Sequence, residues 1–152
     1  MAIGEYCCRE IVAITPSESV LVAARLMREH HVGDLVLVEP TDNQGFLPVG
    51  IITDRDIVLD LIANTEGDLS RIAVGDLQRR ELLTVHEQED VFAVIAKMRQ
   101  AGVRRLPVVD DRGLLAGIIA ADDLVGVLAE GLQDLARLTT YQGQQESSLR
   151  PE

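Results

Sequence analysis

The segment Gly50-Ile51-Ile52-Thr53-Asp54-Arg55-Asp56 closes an apolar run with a hydroxyl and, three residues on, a carboxylate. If Thr53 ends a strand and opens a helix, Asp56 lies one turn in, and two chemistries are open to the pair. Thr-x-x-Asp is a variant of the capping box, in which each side chain accepts from the other residue's backbone amide and no ligand is needed. The same groups, beside free amides and the positive end of a helix dipole, can instead grip the polar atoms of a small molecule, an anion included. Gly50 allows close backbone approach, and Arg55 is a candidate anion contact. A second constellation, Arg104-Arg105 with Asp122 and Asp123 downstream, offers two guanidinium groups. An arginine pair at the start of a strand either meets an anion or sits in solvent or in salt bridges, and both readings stand.

Other chemistries find no footing. The single lysine, Lys97, would have to serve any Schiff-base or phosphate-loop mechanism, and G-x-S-x-G, G-x-G-x-x-G and G-x-x-x-x-G-K are all missing. His30, His31 and His86 show no spacing of a metal site. Cys7 and Cys8 are adjacent, which precludes an ordinary disulfide framework; they read as small buried hydrophobes in a reducing, cytoplasmic setting. The net charge of −11 repels nucleic acid and anionic lipid, and no apolar run reaches the roughly 18 residues of a membrane span. The expectation is a protein with no catalytic activity, no bound metal, and neither nucleic acid nor membrane as partner.

The elements that hold these residues come in two copies. With 152 residues, 47% of them hydrophobic, the chain has room for one core or two small ones that share it. Shifted by 71 residues, Ile11 to Val38 falls on Leu82 to Val109; Val20/Val91, Met27/Met98, Val32/Val103 and Leu35/Leu106 are identical. Farther on the shift becomes 67, aligning Gly50-Ile51-Ile52 with Gly117-Ile118-Ile119 and Asp56 with Asp123, so copy one has an insertion within Glu39 to Leu47. In each copy a short apolar run (Ile11 to Ile14, Leu82 to Val85) precedes an N-cap, Ser19 or Asp90, and an apolar stripe at helical spacing. Two strands and a second helix follow. The order is β-α-β-β-α, and the crossover helix makes the first two strands parallel, while Asp110-Asp111-Arg112-Gly113 closes an antiparallel hairpin. A half-exposed sheet of about fifty residues cannot bury enough surface alone, so two copies are expected to pack through their sheets with pseudo-two-fold symmetry, an α/β (α+β) fold.

This order, with Val103-Arg104-Arg105-Leu106-Pro107-Val108-Val109-Asp110 and the Gly50 to Asp56 segment, resembles the CBS domain, named after cystathionine β-synthase; two copies form a Bateman module. The resemblance spans roughly Ile11 to Glu130. It implies a regulatory unit that binds an adenosyl ligand, AMP or ATP first, with NAD or S-adenosylmethionine as alternatives, and that needs no cofactor. On the family pattern Thr53 and Asp56 hold ribose, Ile11, Val12, Val32 and Ile51 line the adenine slot, and Arg55, Arg104 and Arg105 reach phosphate. Copy two departs from the pattern: Ala120 stands where copy one has Thr53, although Asp123 keeps the carboxylate, so the two sites are expected to be unequal.

The expected organisation is an N-terminal segment 1–10, repeat 1 over 11–64, a linker 65–81 docked through Ile72, Val74 and Leu77, repeat 2 over 82–130, and a C-terminal extension 131–152. Leu124, Leu128, Leu132, Leu135 and Leu138 continue an apolar stripe that needs a partner surface, which predicts a homodimer; Tyr141 to Glu152 reads as a frayed tail. The functional expectation is a sensor of an adenine nucleotide that signals to another protein. The alternative is a ligand-free interaction scaffold.

Overall fold

In a computed structural model, residues 1–63, 67–77 and 80–150 are described; the expected turn at Asn64, the boundary at 64/65, Gln78 and the last two residues lie outside them. Copy one consists of β1 (Ala13–Ile14), α1 (Val20–His30), β2 (Asp34–Pro40), β3 (Phe46–Thr53) and α2 (Asp54–Asp56), which runs on as a π-helical turn over Ile57–Ile62. Copy two consists of β4 (Val85–His86), α3 (Val91–Ala101), β5 (Arg105–Val109), β6 (Leu115–Ala120) and α4 (Ala121–Leu149). Each forms a three-stranded sheet, ordered β1-β2-β3 and β4-β5-β6, with the first pair parallel and the second antiparallel.

Local chemistry sets these boundaries. Ser19 Oγ accepts from the Val22 amide at 3.2 Å and Asp90 Oδ2 from the Phe92 amide at 3.0 Å, capping α1 and α3. Both helices stop at a left-handed residue, His31 (φ 54°) and Gly102 (φ 65°), positions related by the same shift of 71. His31 is therefore a helix terminator. β1 and β4 are shorter than the apolar runs predict: Ile11 and Val12, like Leu82 and Leu83, lie before the strands.

The segments that precede the copies are exchanged between them. Ile3 and Gly4 donate amides to the carbonyls of Glu89 and Glu87, each at 2.8 Å, while Val74 and Gly75 donate to the carbonyls of Glu18 and Pro16 at 2.9 and 3.0 Å. Every pairing in one set maps on the other with the shift of 71. The N-terminal segment thus closes copy two, where Ile3 is fully buried with Val91 and Val94, and the linker closes copy one, where Val74 is buried with Ile14 and Val20. Ile72 and Leu77 pack on the same copy-one core. Glycine is needed at both crossings: a Cβ at Gly4 would lie 2.9 Å from the Glu87 carbonyl oxygen, and one at Gly75 3.0 Å from that of Pro16. Within the N-terminal segment expected over 1–10, Ile3, Tyr6 and Cys7 are part of copy two's packing.

The C-terminal extension also differs from the expectation of a frayed tail. α4 continues to Leu149; along it the Thr139, Thr140 and Ser147 hydroxyls donate back to carbonyls one turn earlier, which keeps these polar side chains compatible with helix, and Gln145 Nε2 donates to Tyr141 Oη at 2.7 Å. Leu124 anchors its root in the copy-two core, whereas Leu132, Leu135 and Leu138 are 68%, 62% and 59% exposed. Among the described residues no helix is long and apolar enough to cross a membrane.

Candidate functional site

The open ends of the two hairpins are built alike. β2 and β3 bring Asp34 opposite Thr53, and β5 and β6 bring Arg105 opposite Ala120. Each end is latched by an amide of the next helix, Asp54 to the Gly33 carbonyl at 2.9 Å and Ala121 to that of Arg104 at 2.8 Å. The ends then meet across the pseudo-two-fold axis, where Arg105 Nε lies 3.0 Å from Asp34 Oδ1. Asp34 and Arg105 are repeat equivalents, separated by the same 71 residues, so a position facing its own counterpart carries opposite charges in the two copies.

A cleft of about 190 Å³ opens beside this pair, lined by Ile11, Val12, Val32, Asp34 and Val36 from copy one and Arg105, Ile118, Ala120 and Asp123 from copy two. Cys8 and Glu10 form its remaining wall, held there because Cys8 pairs with Ile118 through two backbone hydrogen bonds of 2.8 and 2.9 Å. The lining combines aliphatic side chains with a few charged groups, a composition suited to a flat heterocycle with a polar appendage. Asp123 Oδ2 accepts from the Ala120 amide at 3.0 Å, which fixes the carboxylate and leaves its other oxygen able to accept from a ligand hydroxyl.

Of the site residues expected from the sequence, the cleft brings together Ile11, Val12, Val32, Arg105 and Asp123. Ile51, Thr53, Arg55, Asp56 and Arg104 do not line it. Thr53 and Asp56 form the full capping box, with the Thr53 amide donating to Asp56 Oδ2 at 2.9 Å and the Asp56 amide to Thr53 Oγ1 at 3.1 Å. The apolar slot of copy one and the Thr-x-x-Asp of copy one therefore do not share this cleft. Two sheets facing each other about a two-fold axis set the slot of one copy against the helix start of the other.

The arginine pair is engaged by carboxylates. Arg104 Nη2 lies 2.8 Å from Asp122 Oδ1 in solvent, and Arg105 is held by Asp34. The Asp34 side chain is 13% exposed against 43% for Arg105. Burial pushes the Asp34 carboxyl above its ordinary pKa; Arg105 opposes this and the nearby Asp54 adds to it. Asp34 and Glu10 escaped the sequence reading. The signal for Asp34 is its alignment with Arg105 at the shift of 71. Burial also raises the Cys7 thiol above its usual value, as suits a packing residue against Gly117. Lys97 is bound to Glu89, and among the described residues no cluster of three His, Cys, Asp or Glu could hold a metal ion.

Comparison with known proteins bears on the two copies and their fold. The sequence profile of the CBS domain matches residues 3–62 and 74–130, the first residues of each stretch being those of the exchanged segments. The chain is 33% identical over 127 residues to an uncharacterized protein of Methanopyrus kandleri, covering 84% of this chain and 62% of that one. It is 32% identical over 129 residues to the mitochondrial CBS domain-containing protein CBSX3 of Arabidopsis thaliana, covering 84% and 61%. The chain thus spans about three fifths of the length of these two relatives. Among solved structures, the CBS domain pair of protein MJ0100, in complex with 5′-methylthioadenosine and S-adenosyl-L-methionine, superposes with a TM-score of 0.71 at 25% identity, covering 86% of this chain and 98% of that one. A hexameric CBS-CP12 protein from bloom-forming cyanobacteria gives 0.69 at 29% identity, covering 82% and 66%.

Proposed function

The chain belongs to the CBS-domain family, with two copies of the domain, and on that premise we propose that it is a ligand-sensing regulatory module that takes an adenosyl ligand between its copies and signals occupancy to a partner protein. The observation that carries this reading is the cleft in which Ile11, Val12 and Val32 of one copy meet the fixed Asp123 carboxylate of the other. Adenine fills the aliphatic part of the lining, and ribose hydroxyls donate to Asp123. The shifts of 71 and 67 make Leu82, Leu83, Val103, Thr53 and Asp56 the counterparts of Ile11, Val12, Val32, Ala120 and Asp123, so Thr53-x-x-Asp56 belongs to a second, symmetry-related site. Binding couples to signalling because a ligand spanning both copies favours one relative placement of the sheets over others.

A second reading, a ligand-free scaffold, has one observation in its favour: Thr53 and Asp56 already satisfy each other as a helix cap. A thermal-shift panel of adenosine, 5′-methylthioadenosine, AMP and ATP separates the two, since a ligand that binds only the native state at 100 times its Kd adds about 2.7 kcal/mol of stability. At least one compound is expected to raise the melting temperature. No shift with any of them at millimolar concentration leaves the scaffold reading in possession.

The partner surface is a separate matter. The exposed leucines of α4 are covered, on this proposal, by a second copy of the chain, because a projecting amphipathic helix gains its stability from packing rather than from propensity. Light scattering at tens of micromolar is expected to give twice the chain mass of 16.6 kDa. A mass of one chain under those conditions rules the dimer out.

A further inference from the structure

We propose that Asp34 sets the charge class of the ligand: by holding Arg105 across the pseudo-two-fold axis it closes the cleft to phosphorylated adenosyl compounds and leaves it open to those whose 5′ group is neutral or cationic. The inference rests on the adenosyl-binding reading and narrows it. Among the described residues Arg105 is the one basic residue on the lining, against the three carboxylates of Glu10, Asp34 and Asp123. Its guanidinium is committed to Asp34 at 3.0 Å. A phosphate entering beside it must draw the guanidinium away, which leaves the Asp34 carboxylate largely buried, unpaired and near Asp54. The phosphate also meets Glu10 and Asp123, two like charges already on the wall. A thioether leaves the bridge intact, and a sulfonium or ammonium group gains from the acidic wall.

Had copy one carried a basic residue at position 34, as copy two does at 105, the axis would present two positive groups to an anion. The aspartate turns that anion site into a self-neutralised pair. Arg104 offers no replacement, since it lies off the lining and is bound to Asp122.

Calorimetry on the full chain with adenosine, 5′-methylthioadenosine and AMP tests this, using Asp34→Asn and the double variant Asp34→Asn with Arg105→Ala. Asparagine keeps an acceptor for the guanidinium but removes the charge. In the parent, AMP is expected to bind at least about tenfold more weakly than adenosine, and Asp34→Asn to raise the AMP-to-adenosine affinity ratio about tenfold, equivalent to one charge-assisted hydrogen bond. The double variant is expected to lose that gain, which a merely structural effect of Asp34→Asn would not explain. A parent that prefers AMP, or a ratio unmoved by Asp34→Asn, overturns the role of Asp34 while the adenosyl reading stands. If none of the three compounds binds the parent or either variant, the adenosyl reading fails and the selector with it.

Discussion

Ile3→Ala is expected to cost about 2–5 kcal/mol of folding stability, the range for truncating a fully buried branched side chain where the site cannot collapse. The exposure of Ile3 is 0%, and it belongs to the core that includes Val85, Val91, Val94 and Leu124. Its amide and that of Gly4 are fixed to Glu89 and Glu87, so the side chain cannot slide to fill the void. Urea unfolding of the variant and parent gives the comparison, with a lower midpoint and an unchanged slope expected. A loss under about 1 kcal/mol would mean that the segment peels away in a partial opening before the core unfolds, and its docking would then be dispensable.

Asp123→Ala should remove one adenosine-binding event from a calorimetric titration, weakening it roughly 10- to 100-fold through loss of a charge-assisted hydrogen bond of about 1.5–3 kcal/mol. Asp56→Ala should remove the other event and leave the first. The order of importance expected from the motif alone is thereby reversed for the observed cleft, where Asp123 stands on the lining and Asp56 does not. Asp123→Asn serves as the control for folding, because it keeps an acceptor for the Ala120 amide that starts α4. Should Asp123→Ala bind adenosine with the parent's affinity and stoichiometry, this cleft is not the ligand site.

What the sequence could show was whatever repeats locally. The caps at Ser19 and Asp90, the parallel and antiparallel pairings and the β-α-β-β-α order all follow from periodicity and residue type, and the structure has them. The exchanged segments carry the repeat as well, Ile3-Gly4-Glu5 and Val74-Gly75-Asp76 standing 71 residues apart, but with only Gly identical and one apolar match the kinship is too short to stand out without the pairings that each segment makes. The composition of the cleft was not legible in the same way. Which slot faces which helix start depends on how two sheets pack, and periodicity within a strand carries no information on that. Ile11 and Val12 look like strand residues because they are apolar, while their place is the wall of a cleft. The helical course of 141–149 was hidden by composition, since Gly and Ser lower helix propensity and the few apolar residues leave no stripe to mark a buried face.

The exchange of the leading segments also has a consequence for the order in which the molecule is made. As the chain leaves the ribosome, copy one receives its closing segment at once, since residues 72–77 follow it directly. Residues 3–8 have no such neighbour: Ile3 and Gly4 find their carbonyls at Glu89 and Glu87, and Cys8 its partner at Ile118. Their docking requires copy two, 80 or more residues farther along the chain, to be in place. Bringing ends so distant in sequence together places the costliest loop closure at the end of folding. Until residues 3–8 dock, copy two lacks a wall of its core and the cleft lacks the side built by Cys8 and Glu10.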